Sequence, residues 1–418
     1  MKSVISFAAL SAAISLMLTS CSAFMSEVRL TGDTKAPSLT APPYTKESVT
    51  AATGSHYSPA VGLDPKTALA QLADLPGEGD IFLIATVTGD NVEKNPIWQS
   101  EDRFTYSASV ERINAAAEKY NLKIASYKLG YDELAKTLAE NIKNYAYTAD
   151  LLVVPAALAE ELVKEELVLN LSQTAFFDKT AYYFDKGITE LYNKGDCYSV
   201  CGDALCDPES MLCVYYNTKM VTSDIKTAVN SGKWTLDMLS TLSAQGGISS
   251  LLSLDLLVPF SCGKTYDEIF DKDGDPRETD DDLAEIIYSM RKSIGDKFST
   301  TDDPTAFING ECAFYVGKMS DAKKLSKMSD QWSIAPIPTD KEGSEYPTVY
   351  EPFAEKWLFL VPRDAAISER SVLVMSALCA ATCDELKIAV RDEVKKYVRS
   401  NETLVMLDRV LGIGKRAS

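Results

Sequence analysis

The chain reads as an α/β protein whose sheets are mostly parallel. Two observations predict this. From residue 80 to residue 155, short apolar runs alternate with segments of helical periodicity. Summed along the chain, the alternation is βαβαβ, the signature of a parallel sheet with right-handed crossovers.

Taken in order, Asp80-Ile81-Phe82-Leu83-Ile84-Ala85-Thr86-Val87 is a short apolar run of the kind that forms a buried parallel strand. The spacing of Val110, Ile113, Ala117 and Tyr120 predicts a helix over residues 106–120, with Asn121 as its left-handed stop. Residues 122–127 read as the second strand. Leu134, Leu138, Ile142 and Tyr145 share one face of a second helix over 132–145. Asp150 then introduces the strand Leu151-Leu152-Val153-Val154, which Pro155 ends. Open parallel sheets bind ligands beyond the carboxyl ends of their strands, so the loop 88–100 and the turn at Pro155-Ala156 are placed at the ligand edge.

Before this pattern lie two segments of different character. Lys2 precedes an uncharged apolar run from Val4 to Leu18, too short for a transmembrane helix of about 20 residues and suited to a signal peptide. It ends in Leu18-Thr19-Ser20-Cys21, which resembles the lipobox of bacterial lipoproteins. That resemblance implies acylation at Cys21 and a lipid anchor at the outer face of the cell membrane, with residues 1–21 as the signal segment. Residues 22–75, rich in Pro, Ser, Thr, Ala and Gly, read as a flexible stalk.

Composition excludes several functions. The 60 acidic against 42 basic residues disfavour nucleic acid, anionic lipid surfaces and polyphosphates. The one histidine, His56, falls in the stalk, so no Ser-His or Cys-His pair and no His-bearing zinc site is expected in the folded part. Cys197, Cys201, Cys206 and Cys213 are too irregularly spaced for zinc knuckles, and outside the cytosol one or two disulfides are expected, with isolated thiols as the alternative. Cys262, Cys312, Cys379 and Cys383 read as small core residues. Asp271-Lys272-Asp273-Gly274-Asp275 lacks the Gly and Glu positions of a calcium loop and reads as a tight Asp-Gly turn. No metal and no cofactor is expected.

Several segments together resemble a family. Phe104–Ile124, Asp150–Asn170, Cys213–Lys219, Gly232–Asp237, Phe307–Gly317, Trp332–Pro338 and Arg391–Leu411 follow, in order and spacing, segments of the extracellular solute-binding proteins of ABC transporters, of carbohydrate type. The resemblance implies a two-lobe, periplasmic-binding-protein-like fold of type II, each lobe a mostly parallel sheet flanked by helices. It puts residues 76–173 with 340–385 in lobe one and 174–338 with 386–418 in lobe two, with a hinge at Pro336-x-Pro338. Residues 244–270 are short for the family and the chain stops soon after Met406-Leu407-Asp408, so one wall of the cleft is expected to be reduced.

The function implied is that of a monomeric receptor, not an enzyme. Its partners would be a small neutral polar solute, a sugar or oligosaccharide, and the permease subunits of an importer. Sensing or adhesion on the same fold is the alternative, and a two-carboxylate glycoside hydrolase is a third. Sugar clefts set flat aromatic faces beside a few carboxylates. Trp98 after the first strand, Trp234 at a helix start, and Tyr350, Glu351 and Trp357 past the presumed hinge are therefore the candidate ligand residues. Trp332, inside an apolar strand pattern, reads as core.

Overall fold

The computed structural model describes residues 64–88, 97, 101–185, 187, 189, 192–193, 195–271, 275–351, 356–382, 384–398 and 401–413. Cys21, His56, Trp98 and Cys383 lie outside them. The folded part begins earlier than the stalk reading put it. Asp64 caps a helix over Pro65–Gln71 by accepting from the backbone N–H groups of Lys66 and Thr67, with Pro65 supplying a preset φ at the first position. Ala68 and Leu69 of this helix are buried in the first core, so residues 64–75 are not stalk.

The described strands are β1 (Ile81–Thr88), β2 (Lys123–Gly130), β3 (Leu151–Pro155), β4 (Phe184–Asp185), β5 (Cys201–Gly202), β6 (Leu212–Asn217), β7 (Ile248–Ser250), β8 (Phe298–Thr300), β9 (Phe314–Lys318), β10 (Trp332–Ala335) and β11 (Trp357–Leu360). One sheet has the order β11-β3-β1-β2, with β1 parallel to β2 and β3, and β11 antiparallel to β3. The second has the order β10-β6-β9-β7-β8. Here β7 runs parallel to β8 and β9, while β6 runs antiparallel to β9 and β10. The first sheet is mostly parallel, as expected; the second is mixed. Strands β4 and β5 form a separate antiparallel pair.

Helices connect β1 to β2 (Tyr106–Lys119) and β2 to β3 (Tyr131–Lys143), as the periodicity predicts. Asn121 takes φ 46°, the left-handed stop expected of it. Two faces differ from the reading. In the first helix the buried stripe is Ser109, Arg112 and Ala116, while Val110 and Ile113 are half-buried. Arg112 is 2% exposed because its guanidinium donates to the carbonyls of Ala204 (2.8 Å) and Ile97 (3.4 Å). Hydrophobic periodicity cannot foresee a buried cation satisfied by distant backbone. Tyr145 lies beyond the second helix at φ 54° and is 91% exposed.

Each sheet has its own hydrophobic core. The first gathers buried residues of 68–205 and 357–381; the second gathers 211–349 and 390–411. The chain thus passes between cores at 206–210, 350–356 and 382–389. The first passage is later than expected, because Ala181, Tyr183, Phe184, Cys197, Val200, Ala204 and Leu205 pack with the first sheet, not the second. Residues 340–349 likewise stay with the second core, through Val349. The Pro336-x-Pro338 hinge is corrected accordingly. Pro336 accepts from the Trp234 indole N–H (2.8 Å), Ile337 is fully buried in the second core and Thr339 bridges to Thr235.

The first two passages are joined to each other. Leu212 N–H donates to the Val349 carbonyl (2.7 Å), Glu351 N–H donates to the Ser210 carbonyl (2.9 Å), and Met211 and Tyr350 form an antiparallel bridge. No disulfide joins any of the seven described cysteines, which overturns the pairing expected for Cys197, Cys201, Cys206 and Cys213. Among the described residues no helix is long and apolar enough to cross a membrane.

Candidate functional site

The crevice is defined by strand direction. In the first sheet β1, β2 and β3 end together at Thr88, Gly130 and Pro155. Trp357, the first residue of β11, pairs with Pro155, and the Lys356 carbonyl accepts from Ala156 N–H (2.8 Å), so β11 enters at that same edge. In the second sheet the parallel strands β7, β8 and β9 end at Ser250, Thr300 and Lys318. Leu212, where β6 begins, is paired with Lys318. The paired passages therefore meet the second sheet at its carboxyl edge, and the second of them enters the first sheet at its carboxyl edge. Both ligand edges meet at the junction of the two cores.

Charged and aromatic groups gather at this junction. Lys318, closing β9, pairs with Glu351 on the second passage at 2.6 Å, both side chains about a quarter exposed. Arg103 donates through Nε to Glu209 (2.9 Å) and through Nη2 to Asp207 (2.5 Å), binding the segment before the first helix to the first passage. Phe104 stacks on Tyr397 at 6.2 Å between ring centroids, against the second core. Cys206 and Tyr350 share a hydrogen bond of 2.9 Å between thiol and hydroxyl, linking the first two passages. Burial pushes the Cys206 thiol up to about 12, so it is a neutral thiol at physiological pH.

One contact spans the cores directly. The Lys356 ammonium sits 4.7 Å from the centre of the Tyr266 ring. Tyr266 opens the short helix Tyr266–Ile269, whose start is capped by Thr265 and Glu268, with Thr265 N–H donating to Glu268 at 2.8 Å. Phe270 packs beside Tyr266 at 4.9 Å. Burial lowers the Lys356 ammonium from the usual lysine range, and the neighbouring Cys201 and Asp185 offset part of that.

A model of bacterial extracellular solute-binding proteins matches residues 108–372, more than half of the chain. The chain belongs to the bacterial extracellular solute-binding proteins. Among solved structures, this solute-binding protein is similar to an extracellular solute-binding protein of family 1 from Alicyclobacillus acidocaldarius, at 12% identity over 83% of this chain and 88% of that one, with a TM-score of 0.49. It is also similar to the GacH receptor of Streptomyces glaucescens, solved unliganded and with acarbose, at 13% identity, 82% and 88% coverage and a TM-score of 0.43. A third is the maltodextrin binding protein of L. casei, at 16% identity, 81% and 84% coverage and a TM-score of 0.43. No curated protein matches.

For a solute-binding protein the sequence-derived candidates fall in different places. Tyr350 and Glu351 lie on the second passage, at the junction, both half-buried. Trp357 is at the crevice edge of the first sheet, yet it is 7% exposed and belongs to the first core. Trp234 is 0% exposed in the second core, near Phe314, and offers no face to a solute. Trp332 is core, as read. Trp98 lies outside the described residues. Lys356, Tyr266, Lys318 and Arg103 were not foreseen. The capping box Thr265-x-x-Glu268 announces a helix start, but nothing local in the sequence places that helix against Lys356.

Proposed function

We propose that this protein is the receptor of an ABC importer, anchored through Cys21, that takes a sugar or oligosaccharide between its two lobes. The observation that carries the reading is the meeting of both carboxyl edges at the passages between the cores. A solute held there touches both lobes at once, and bending the passages closes the lobes on it. The resemblance to carbohydrate-type members supports a sugar, and so does the aromatic ring at the junction, since an aromatic face suits the apolar C–H face of a sugar. Permease subunits are the partner the family role implies.

A thermal-shift screen of the purified chain against mono- and oligosaccharides tests the solute. A ligand that binds only the folded state at 100 times its Kd adds about 2.7 kcal/mol of stability and raises the unfolding midpoint. The same ligand at saturation is expected to reduce the radius of gyration in small-angle scattering. A screen in which no sugar moves the midpoint removes the sugar reading, and a shift without compaction removes lobe closure.

The anchor has its own test. Cys21→Ala is expected to abolish acylation and move the protein from the membrane fraction to the soluble one, because the lipobox thiol is the acyl acceptor. Lipid still attached to the variant by mass spectrometry would refute the anchor.

A further inference from the structure

The contact between Lys356 and Tyr266 has the composition of a ligand site. One group comes from the crevice edge of the first sheet and the other from the second lobe, so a solute lying between the lobes meets both. Both side chains are half-buried. Among the described residues, no carboxylate lies within 4 Å of the Lys356 ammonium; its close partner is the Tyr266 ring. An ammonium carries three donors and strongly prefers an anionic acceptor when water is excluded. The face of Tyr266, backed by Phe270, is an apolar platform.

We propose that Lys356 and Tyr266 are the paired recognition elements for a sugar bearing a single anionic group, with the ammonium receiving the anion and the Tyr266 ring the apolar face of the sugar. This rests on the receptor reading above and narrows its solute. Charge limits the anion to one. The chain carries a net charge of −18, and Asp185 stands near the Lys356 ammonium. A polyphosphate would be repelled, whereas one carboxylate or sulfate matches the one ammonium. An acidic sugar departs from the neutral solute expected from the sequence. The ammonium rests on the ring, so each group covers the surface the other would present to a ligand. Entry of an acidic sugar separates them and replaces a cation–π contact with a charge-assisted hydrogen bond and a ring-on-sugar contact.

The test compares three probes by calorimetry on the full chain: galacturonate, galactose 6-sulfate and neutral galactose. At least one acidic probe is expected to bind at least tenfold more tightly than the neutral one, and which acid does so identifies the anion. Lys356→Met should weaken the acidic probe by about 10–100-fold while changing neutral binding by less than about threefold. Tyr266→Ala should weaken acidic and neutral probes alike, by about tenfold. The unliganded unfolding midpoint of each variant, unchanged within a few degrees, separates binding from folding. If the neutral sugar binds as tightly as both acids, or Lys356→Met keeps the preference, the inference fails and the sugar receptor stands. If Lys356→Met alters only the compactness of the unliganded protein, the contact is a latch and the inference also fails. If none of the three probes binds and the wider sugar screen is also blank, the sugar reading falls with it.

Discussion

Arg103→Met is expected to destabilise the protein by about 3–5 kcal/mol, the cost of breaking a buried ion pair from one side. The Arg103 side chain is 15% exposed and that of Glu209 is 9% exposed. Glu209 accepts from Arg103 Nε (2.9 Å), from Thr105 N–H (3.3 Å) and from the Thr105 hydroxyl (2.9 Å). Removing the guanidinium leaves this carboxylate almost dry beside Asp207, whose own bond to Arg103 is 2.5 Å. Two like charges then stand side by side, Glu209 almost dry and Asp207 29% exposed. Desolvation is the larger cost here; the pair's net attraction is smaller than the penalty of the orphaned anion. The triple variant with Asp207→Asn and Glu209→Gln is accordingly expected to recover most of the loss. Denaturant unfolding measures both. A loss below about 1 kcal/mol for Arg103→Met would place this cluster with ordinary surface pairs.

Trp234→Ala is expected to cost a similar amount, about 3–5 kcal/mol, as truncations of buried aromatic side chains do. The indole has no exposed surface, and its N–H donates to the Pro336 carbonyl at 2.8 Å. Trp234→Phe keeps most of the volume but leaves that carbonyl without its donor, so an intermediate loss of about 1–3 kcal/mol is expected. The pair of variants also decides between core and crevice. A core residue lowers the unfolding midpoint and leaves solute affinity of the folded fraction intact. A variant with a normal midpoint and lost solute binding would return Trp234 to the ligand site.

What was legible in the sequence is what local pattern controls. The β1 run, Asn121 as a left-handed stop and Trp332 as core each depend on neighbours within a few residues. Asp271 and Asp275 exchange hydrogen bonds of 2.9 Å and Phe270 bridges to Pro276, while residues 272–274, on which the Asp-Gly turn was expected, lie outside the described residues. Features settled by distant partners were not legible. Arg112 is buried because Ala204 lies opposite it, and residues 181–205 join the first core although the chain is by then heading for the second. The presumed hinge failed for the same reason, since Pro336-x-Pro338 reads as a hinge until Trp234 is seen bonded to Pro336 and Thr235 bridged to Thr339. Sugar-cleft chemistry points to Trp98, Trp234 and Trp357, yet burial puts Trp234 and Trp357 in the cores. The ring that faces a cation from the other lobe is a tyrosine, Tyr266, and that cation, Lys356, precedes an apolar strand that masks it.

The hydrogen bonding of residues 210–212 to residues 349–351 sets the mechanics of any motion between the cores. Independent linkers would let one body swing, twist and slide on the other. A ladder of two strands resists shear and stretch in its own plane, because either would break its backbone bonds, but it flexes easily out of plane. The third passage, at 382–389, enters the second lobe through the helix Glu385–Val394, which packs against Pro208–Ser210 of the first passage and opposes twisting about the ladder's long axis. The joint therefore resembles a door hinge more than a ball and socket: one rotation is soft and the others are stiff. A joint with one soft rotation brings the same two surfaces together at every closure, and this fixes which residues can ever share a solute.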